Sequence, residues 1–261
     1  MTARIDLARE GHVATVSIDH AGKLNALTVA MWQELARVMR ALSADDDLRC
    51  VVLRGAGDRA FAAGADIAEF ATVRATREQG VVYHREHVFG ALQAVAECRH
   101  PVVAMIHGPC VGGGLELACQ CDLRIAGVSG RFGVPINRLG FSIAYDELAA
   151  VLPVVGRAAA LEILIEGRVW DAQEAFAKGL LTRVVPDDQL EAEVQATVAR
   201  ICAGAPLVAR WHKQFVRRLT PRAAPLTEAE IDESFAYFDT RDFREGYAAF
   251  TEKRKPGFIG K

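Results

Sequence analysis

The sequence predicts an α/β fold, because short apolar runs that end at glycine alternate with segments of helical periodicity. The apolar runs cover residues 50–55, 102–108 and 123–127, and such runs are typical of strands that are buried on both faces of a sheet. Strands that alternate with helices favour crossover units of the βαβ or ββα type. The pattern therefore indicates one α/β core.

The N-terminal elements follow from local patterns. Residues 13–19 alternate apolar and polar positions, as a half-exposed strand does. Thr28 is a suitable N-cap, and apolar residues at three- and four-residue spacing predict a helix over about 29–42. A long polar helix is predicted over about 75–98. These elements account for the chain between the first three strands.

The C-terminal part changes character after Pro186. Leu190, Val194, Val198 and Ile201 fall on one face of a predicted helix, and the segments 206–219, 227–238 and 240–255 also look helical. We therefore expect a core over residues 1–200 and a C-terminal helical oligomerisation region over 201–261. A tail this thin buries its apolar face only against a partner, which favours self-association.

Composition narrows the functional classes. The 261 residues are 51% hydrophobic and 25% charged, with a formal net charge of −2, so no basic surplus points to nucleic acid or an anionic membrane. The longest apolar run is far shorter than the ~20 residues of a membrane span. Six scattered cysteines and the absence of a secretory leader pattern favour reduced, buried thiols in a cytoplasmic protein.

Two glycine-containing segments are candidate binding sites. In residues 61–67, Gly64 allows the N–H of Ala65 to point outward, although a tight turn is an alternative. In residues 107–118, a strand leads through three glycines into a helix, whose first N–H groups can bind an anion or an oxyanion. The dinucleotide and P-loop glycine patterns are absent. Glu116 follows the glycines on an apolar helix and is a candidate acid/base group.

Five segments of the chain together resemble the crotonase superfamily, also called the enoyl-CoA hydratase/isomerase family. They cover residues 24–27, 61–67, 112–122, 132–140 and 179–185, in the order of the family. The resemblance implies a crotonase-like spiral of ββα units with a C-terminal helical region. It also implies an acyl-CoA substrate, no separate cofactor, and assembly as a homotrimer or a dimer of trimers.

The resemblance also implies roles for individual residues. The N–H groups of Ala65 and Gly113 would form an oxyanion hole around the thioester carbonyl, a term worth roughly 2.7–4 kcal/mol per donor in comparable sites. Coenzyme A would lie along Lys23, Leu24, Ala63, Asp66, Ile67 and Gly112, with Lys253 near its phosphates unless that charged run is simply solvated. No metal is expected, because His84 and His87 lack a third ligand.

One segment departs from the family pattern. Hydratases carry a second glutamate after the proline of residues 132–135, and this chain has Ile136 there. The aspartate that some relatives carry further on falls on Ala144. Tyr145, Asp146 or Glu147 could supply a replacement acid, or they could be exposed groups at a helix start, and Asn137 could orient a water.

The departure leaves several functions open. We expect an enoyl-CoA hydratase-type lyase that acts through a stabilised enolate. Double-bond isomerisation or decarboxylation with the single Glu116 is an alternative. A third is an acyl-CoA-binding relative whose catalysis has lapsed with the loss of the second glutamate at Ile136.

Overall fold

The computed structural model describes residues 3–220 and 225–261. The strands are β1 (Arg4–Glu10), β2 (Val13–Asp19), β3 (Cys50–Gly55), β4 (Val102–Ile106), β5 (Pro109–Val111), β6 (Leu123–Gly127), β7 (Arg131–Gly133), β8 (Val169–Asp171) and β9 (Arg183–Val185). The helices are α1 (Val29–Ala44), α2 (Phe70–Val73), α3 (Arg77–Val82), α4 (Phe89–Glu97), α5 (Gly113–Gln120), α6 (Tyr145–Ile165), α7 (Ala172–Ala177), α8 (Leu190–Ala203), α9 (Pro206–Leu219), α10 (Glu228–Ser234) and α11 (Arg241–Thr251).

Two sheets organise the described residues. The larger has the order β1-β2-β3-β4-β6-β9, and all of its neighbouring pairs are parallel except the β1–β2 hairpin. The smaller has the order β5-β7-β8, with β5 parallel to β7. Strand β5 directly follows β4, and β7 directly follows β6, so this part of the chain repeats a strand–strand–helix unit. The predicted α/β class is confirmed.

Helix α1 forms where its periodicity predicts. The side chain of Thr28 accepts a hydrogen bond from the N–H of Met31, which is the predicted N-cap. The helix runs two residues past the predicted end, to Ala44, and its apolar residues are buried against the sheet and α4. The helix therefore supplies one wall of the main core.

The predicted polar helix over 75–98 is interrupted by a π-helical turn, Tyr83–Val88, between α3 and α4. Tyr83, His84 and Val88 of this turn are buried, so its description as polar was wrong at this point. Single π turns inside helices are frequent at functional sites. Here the turn directs His84 inward.

Helix α6 lies outside the predicted elements except for its start. It is interrupted at Gly156, where φ is +75°, and its buried residues include Glu147, Ala150 and Val151, which pack toward α5. The helix has a mean hydropathy of 2.0 and is long and apolar enough to cross a membrane by length and composition alone. In this fold, its first turns form part of the core.

The C-terminal helices do not form a separate layer. The predicted boundary at residue 200 falls inside α8, which covers one face of the sheet. Helix α11 packs on the 3-10 turn Pro135–Leu139, which places Phe250 beside the main cavity.

All six cysteines are free thiols, and Cys202 is only partly buried, unlike the other five.

Candidate active site

The main cavity lies where the N-terminus of α5, the first turn of α6 and the π-helical turn meet. Its volume is about 500 Å³. Its wall contains residues 63–65, residues 111–113, Glu116, Ile136 and Glu147, with apolar side chains between them. A cavity of this size fits a small organic ligand.

The first backbone donor is the N–H of Ala65. Leu27 donates its N–H to the carbonyl of Gly64 at 2.8 Å, and Asp66 donates to the carbonyl of Leu27 at 2.8 Å. Because successive amides of an extended chain point in opposite directions, the Ala65 N–H points away from Leu27. It has no acceptor among the described residues. A positive φ of +89° at Gly64 sets up this turn.

The second backbone donor is the N–H of Gly113, the first residue of α5. Gly112 has φ of +52° and ψ of −128°, a conformation that L side chains rarely adopt, and its own N–H donates to the carbonyl of Gly133 at 2.8 Å. The first N–H groups of a helix have no partner within the helix. The Gly113 donor is therefore free for a ligand.

The two donor segments lie next to each other. A β-carbon placed on Gly64 would be 3.6 Å from the nitrogen of Gly113 and 3.7 Å from the Cα of Gly112. Two amide donors that converge on one point can hold the oxygen of a polarised carbonyl. The structure thus places Ala65 and Gly113 in the wall of one cavity.

Glu116 is the first carboxyl group beside these donors. It is 4% exposed, and a β-carbon placed on Gly113 would be 3.9 Å from its Oε2. Burial raises the pKa of Glu116 well above its usual range, and the charge of Glu147 raises it further, whereas Arg74 opposes the shift. The raised pKa favours the protonated form of Glu116, which makes this side chain a candidate proton donor.

Glu147 is the second carboxyl group of the cavity. It is 5% exposed and accepts a short hydrogen bond from Nδ1 of His84. Burial lowers the pKa of His84, although Glu147 opposes this, so the imidazole is neutral at pH 7. The Nε2 atom of His84 is buried and has no partner in the described chain. Both side chains line the cavity that also contains Glu116.

Tyr145 and Asp146 do not line the main cavity. Tyr145 is 38% exposed and its hydroxyl donates to Glu233 at 3.4 Å. Asp146 borders a small neighbouring pocket, where burial raises its pKa and Arg85 lowers it. The expectation of exposed carboxylates at this helix start was wrong for Glu147, because the turn of α6 that carries it packs on the core.

Ile136 does face the cavity, so no carboxyl group stands where the resemblance implies one. Asn137 lies outside the main cavity and donates from Nδ2 to the carbonyl of Ile165 at 2.9 Å. Ala144 is buried in a separate apolar cluster with Phe235 and Tyr237. None of these residues replaces the second glutamate.

Three of the seven predicted coenzyme A residues line the cavity and the other four do not. Lys23 forms an ion pair with Asp66 at 3.3 Å, and Ala63 donates its N–H to the carbonyl of Leu24 at 3.0 Å. Leu24 is 39% exposed, with φ of +49°. Ala63, Gly112 and Ile67 line the cavity. Lys253 is an exposed residue just past α11, with φ of +55°.

Sequence reasoning missed Arg74, a buried cation in the cavity wall. It follows α2 and is 4% exposed. No local pattern distinguishes it from the surface arginines of the same segment. In the part of the chain that the structure describes, no group of three histidine, cysteine or acidic side chains could hold a metal ion.

Two residues with backbone N–H groups unpaired in the described chain and two buried carboxyl groups line one cavity, an arrangement typical of an enzyme site for acid/base chemistry on a carbonyl compound. The sequence model of the enoyl-CoA hydratase/isomerase family matches residues 8–261. The chain is 33% identical to a crotonyl-CoA hydratase of Syntrophomonas wolfei over 260 residues, 98% of each chain.

Solved structures agree. An enoyl-CoA hydratase/carnithine racemase from Magnetospirillum magneticum is 53% identical over 100% of this chain and 97% of its own, with a TM-score of 0.82. A methylmalonyl-CoA decarboxylase complexed with 2S-carboxypropyl-CoA is 26% identical over 98% of each chain, with a TM-score of 0.88.

The chain belongs to the enoyl-CoA hydratase/isomerase family, and its fold is the crotonase fold. It is an acyl-CoA thioester enzyme. The resemblance seen in the sequence is confirmed.

Proposed function

We propose that this enzyme adds water across the double bond of a 2-enoyl-CoA thioester. The observation that carries the proposal is the presence of two buried carboxyl groups, Glu116 and Glu147, in the wall of one cavity with the free N–H groups of Ala65 and Gly113. Hydration needs a proton acceptor for water, a proton donor for carbon and an oxyanion site. The cavity contains candidates for all three.

The protonation states divide the two roles. Neutral His84, held by Glu147, takes a proton from a water molecule as its oxygen bonds to C3 of the enoyl group. The electron pair of the double bond moves onto the thioester oxygen, and the N–H groups of Ala65 and Gly113 stabilise the enolate. Protonated Glu116 then donates its proton to C2. Proton exchange with solvent restores both groups.

Glu147 is the reason to favour hydration over lapsed catalysis. The lapsed alternative rests on the missing carboxyl group at Ile136. A carboxyl group from the first turn of α6 now lies in the same cavity. The names of relatives at about 33% identity also favour a hydratase.

Turnover of crotonyl-CoA tests the proposal. We expect loss of the enoyl thioester absorbance and a product that has gained the mass of one water. Glu116→Gln should lower kcat about 10²- to 10⁴-fold, the range for lost acid/base catalysis. A product of unchanged mass with a shifted double bond would show an isomerase instead, and no reaction with any enoyl-CoA would contradict the proposal.

We also propose that the enzyme assembles as a trimer or a dimer of trimers through α9. The apolar residues Trp211, Phe215 and Leu219 of this helix are 50–80% exposed. Its opposite face is fixed to the core by Lys213, which donates to Asp122 at 2.7 Å and to the carbonyl of His100 at 3.1 Å. Light scattering should give three or six chain masses, and a monomer would contradict this.

A further inference from the structure

Arg74 is a charged side chain that is buried without a charged partner. Arginine is rarely buried unless it is paired, yet Arg74 is only 4% exposed. No acidic side chain in residues 3–220 or 225–261 forms an ion pair with it, and its Nε has no acceptor at all. A buried charge in this state is costly unless something else in the site compensates it.

Aromatic rings surround the guanidinium of Arg74, but they do not satisfy its hydrogen-bond donors. The guanidinium carbon lies 4.2 Å from the ring centre of Phe70, 4.8 Å from that of Phe141 and 5.3 Å from that of Tyr83. These rings surround the guanidinium and limit its contact with water. Hydrogen bonds form only in the plane, where Nη2 donates to the hydroxyl of Tyr237 at 3.0 Å. Nη1 has no acceptor in the described chain.

Arg74 belongs to the same cavity as the reacting groups. Arg74 lines this cavity together with Glu116, His84 and the Ala65 donor. Its positive charge lowers the pKa of Glu116 and of His84, so it lies within electrostatic range of both. A ligand in the cavity can therefore reach the guanidinium and the acid/base groups together.

We propose that Arg74 binds a carboxylate carried by the acyl group, so that the preferred substrates are acyl-CoA thioesters of dicarboxylic acids. The planar guanidinium matches a carboxylate through two parallel N–H···O bonds. An uncharged acyl chain would offer the guanidinium no hydrogen-bond acceptor. This inference rests on the proposed function, since it places the acyl group in the main cavity.

Binding of two saturated thioesters tests the inference without any turnover. Glutaryl-CoA and pentanoyl-CoA have acyl chains of equal length and differ in the terminal carboxylate. By calorimetry we expect the natural enzyme to bind glutaryl-CoA at least ~10-fold more tightly, because a hydrogen bond to a charged group contributes about that much. Arg74→Gln should remove the preference, and Arg74→Lys should keep part of it.

Arg37→Gln is the matched control. Arg37 lies on the surface of α1, where its guanidinium pairs with Glu34 and is 67% exposed, so this variant should keep the full preference. Equal binding of the two thioesters by the natural enzyme would overturn the inference, even if Arg74→Gln fails to fold. Equal weakening of both thioesters in Arg74→Gln would also overturn it, because Arg74 would then only balance the charges of the site.

The two proposals can fail separately. If crotonyl-CoA is hydrated but glutaryl-CoA is not preferred, the carboxylate inference is wrong and the hydratase proposal stands. If no enoyl-CoA reacts but glutaryl-CoA binds more tightly through Arg74, the hydratase proposal is wrong and the carboxylate inference stands.

Discussion

The two walls of the main cavity bind polar groups by different means. One wall presents backbone N–H groups at Ala65 and Gly113, which cannot titrate. Backbone hydrogen bonds of the neighbouring residues and the positive φ angles of Gly64 and Gly112 fix their positions. The other presents ionisable side chains, Glu116, Glu147 and His84, which come from α5, α6 and the π-helical turn. Carbonyl polarisation is therefore independent of pH, whereas proton transfer is not.

The two walls also differ in what they cost the stability of the folded protein. A free amide at a helix start is exposed to the cavity and costs the fold little. A carboxyl group that is buried with a raised pKa opposes folding whenever it must ionise. The backbone wall is thus stable in itself, and the side-chain wall is maintained at the expense of stability. Substitutions in the two walls should differ accordingly.

The largest expected effect is on the backbone wall. Gly113→Pro removes the N–H, and proline is tolerated at the first position of a helix. Gly113→Ala is the matched control, because both variants place a β-carbon 2.8 Å from Cζ2 of Trp32 but alanine keeps the N–H. We expect kcat of the proline variant to be about 10²- to 10³-fold below that of the alanine variant.

The pH profile should distinguish this loss from one in the other wall. In Gly113→Pro the shape of the kcat/KM profile should match that of Gly113→Ala, because no titrating group is removed. Equal rates in the two variants would show that Gly113 does not donate to the substrate.

A smaller effect concerns stability. The folded-state pKa of Glu116 is raised above its ordinary value of 4.5, so the folded state binds this proton more tightly than the unfolded state does. Stability is then lost as the pH rises from about 4.5 through the raised pKa. Glu116→Gln avoids this loss and should unfold at a higher denaturant concentration than the natural enzyme at pH 7.

At pH 4 the two proteins should converge, since Glu116 is protonated in both the folded and the unfolded natural enzyme. Urea unfolding at both pH values checks this. A variant that is less stable than the natural enzyme at pH 7 would show that Glu116 is stabilised as an anion.

The backbone wall could be predicted from sequence and most of the side-chain wall could not. Gly64 and the glycines at 112–114 have local consequences, because each one permits a turn that exposes an N–H. The choice among Tyr145, Asp146 and Glu147 depends on the rotation of α6, and one residue turns a helix by about 100°. Ala144 provides no side-chain cap that would fix this start.

The role of Arg74 was even harder to predict from the sequence. Its neighbours Phe70, Phe141 and Tyr237 are spread over 168 residues of chain, and no spacing rule joins them. The missing glutamate at Ile136 was visible in sequence. The sequence also offered Tyr145, Asp146 and Glu147 as replacement acids, but which of them enters the cavity depends on the packing of α6 on α5.

A comparison of turnover in Glu147→Gln and Asp146→Asn tests most directly whether α6 supplies the second acid/base group. The two carboxyl groups are neighbours in sequence, but only Glu147 lines the cavity. With a hydratable enoyl-CoA, we expect kcat of Glu147→Gln to fall about 10²-fold or more, and that of Asp146→Asn to stay within about threefold of the natural enzyme. A large loss in Asp146→Asn with near-normal turnover in Glu147→Gln would contradict the assignment.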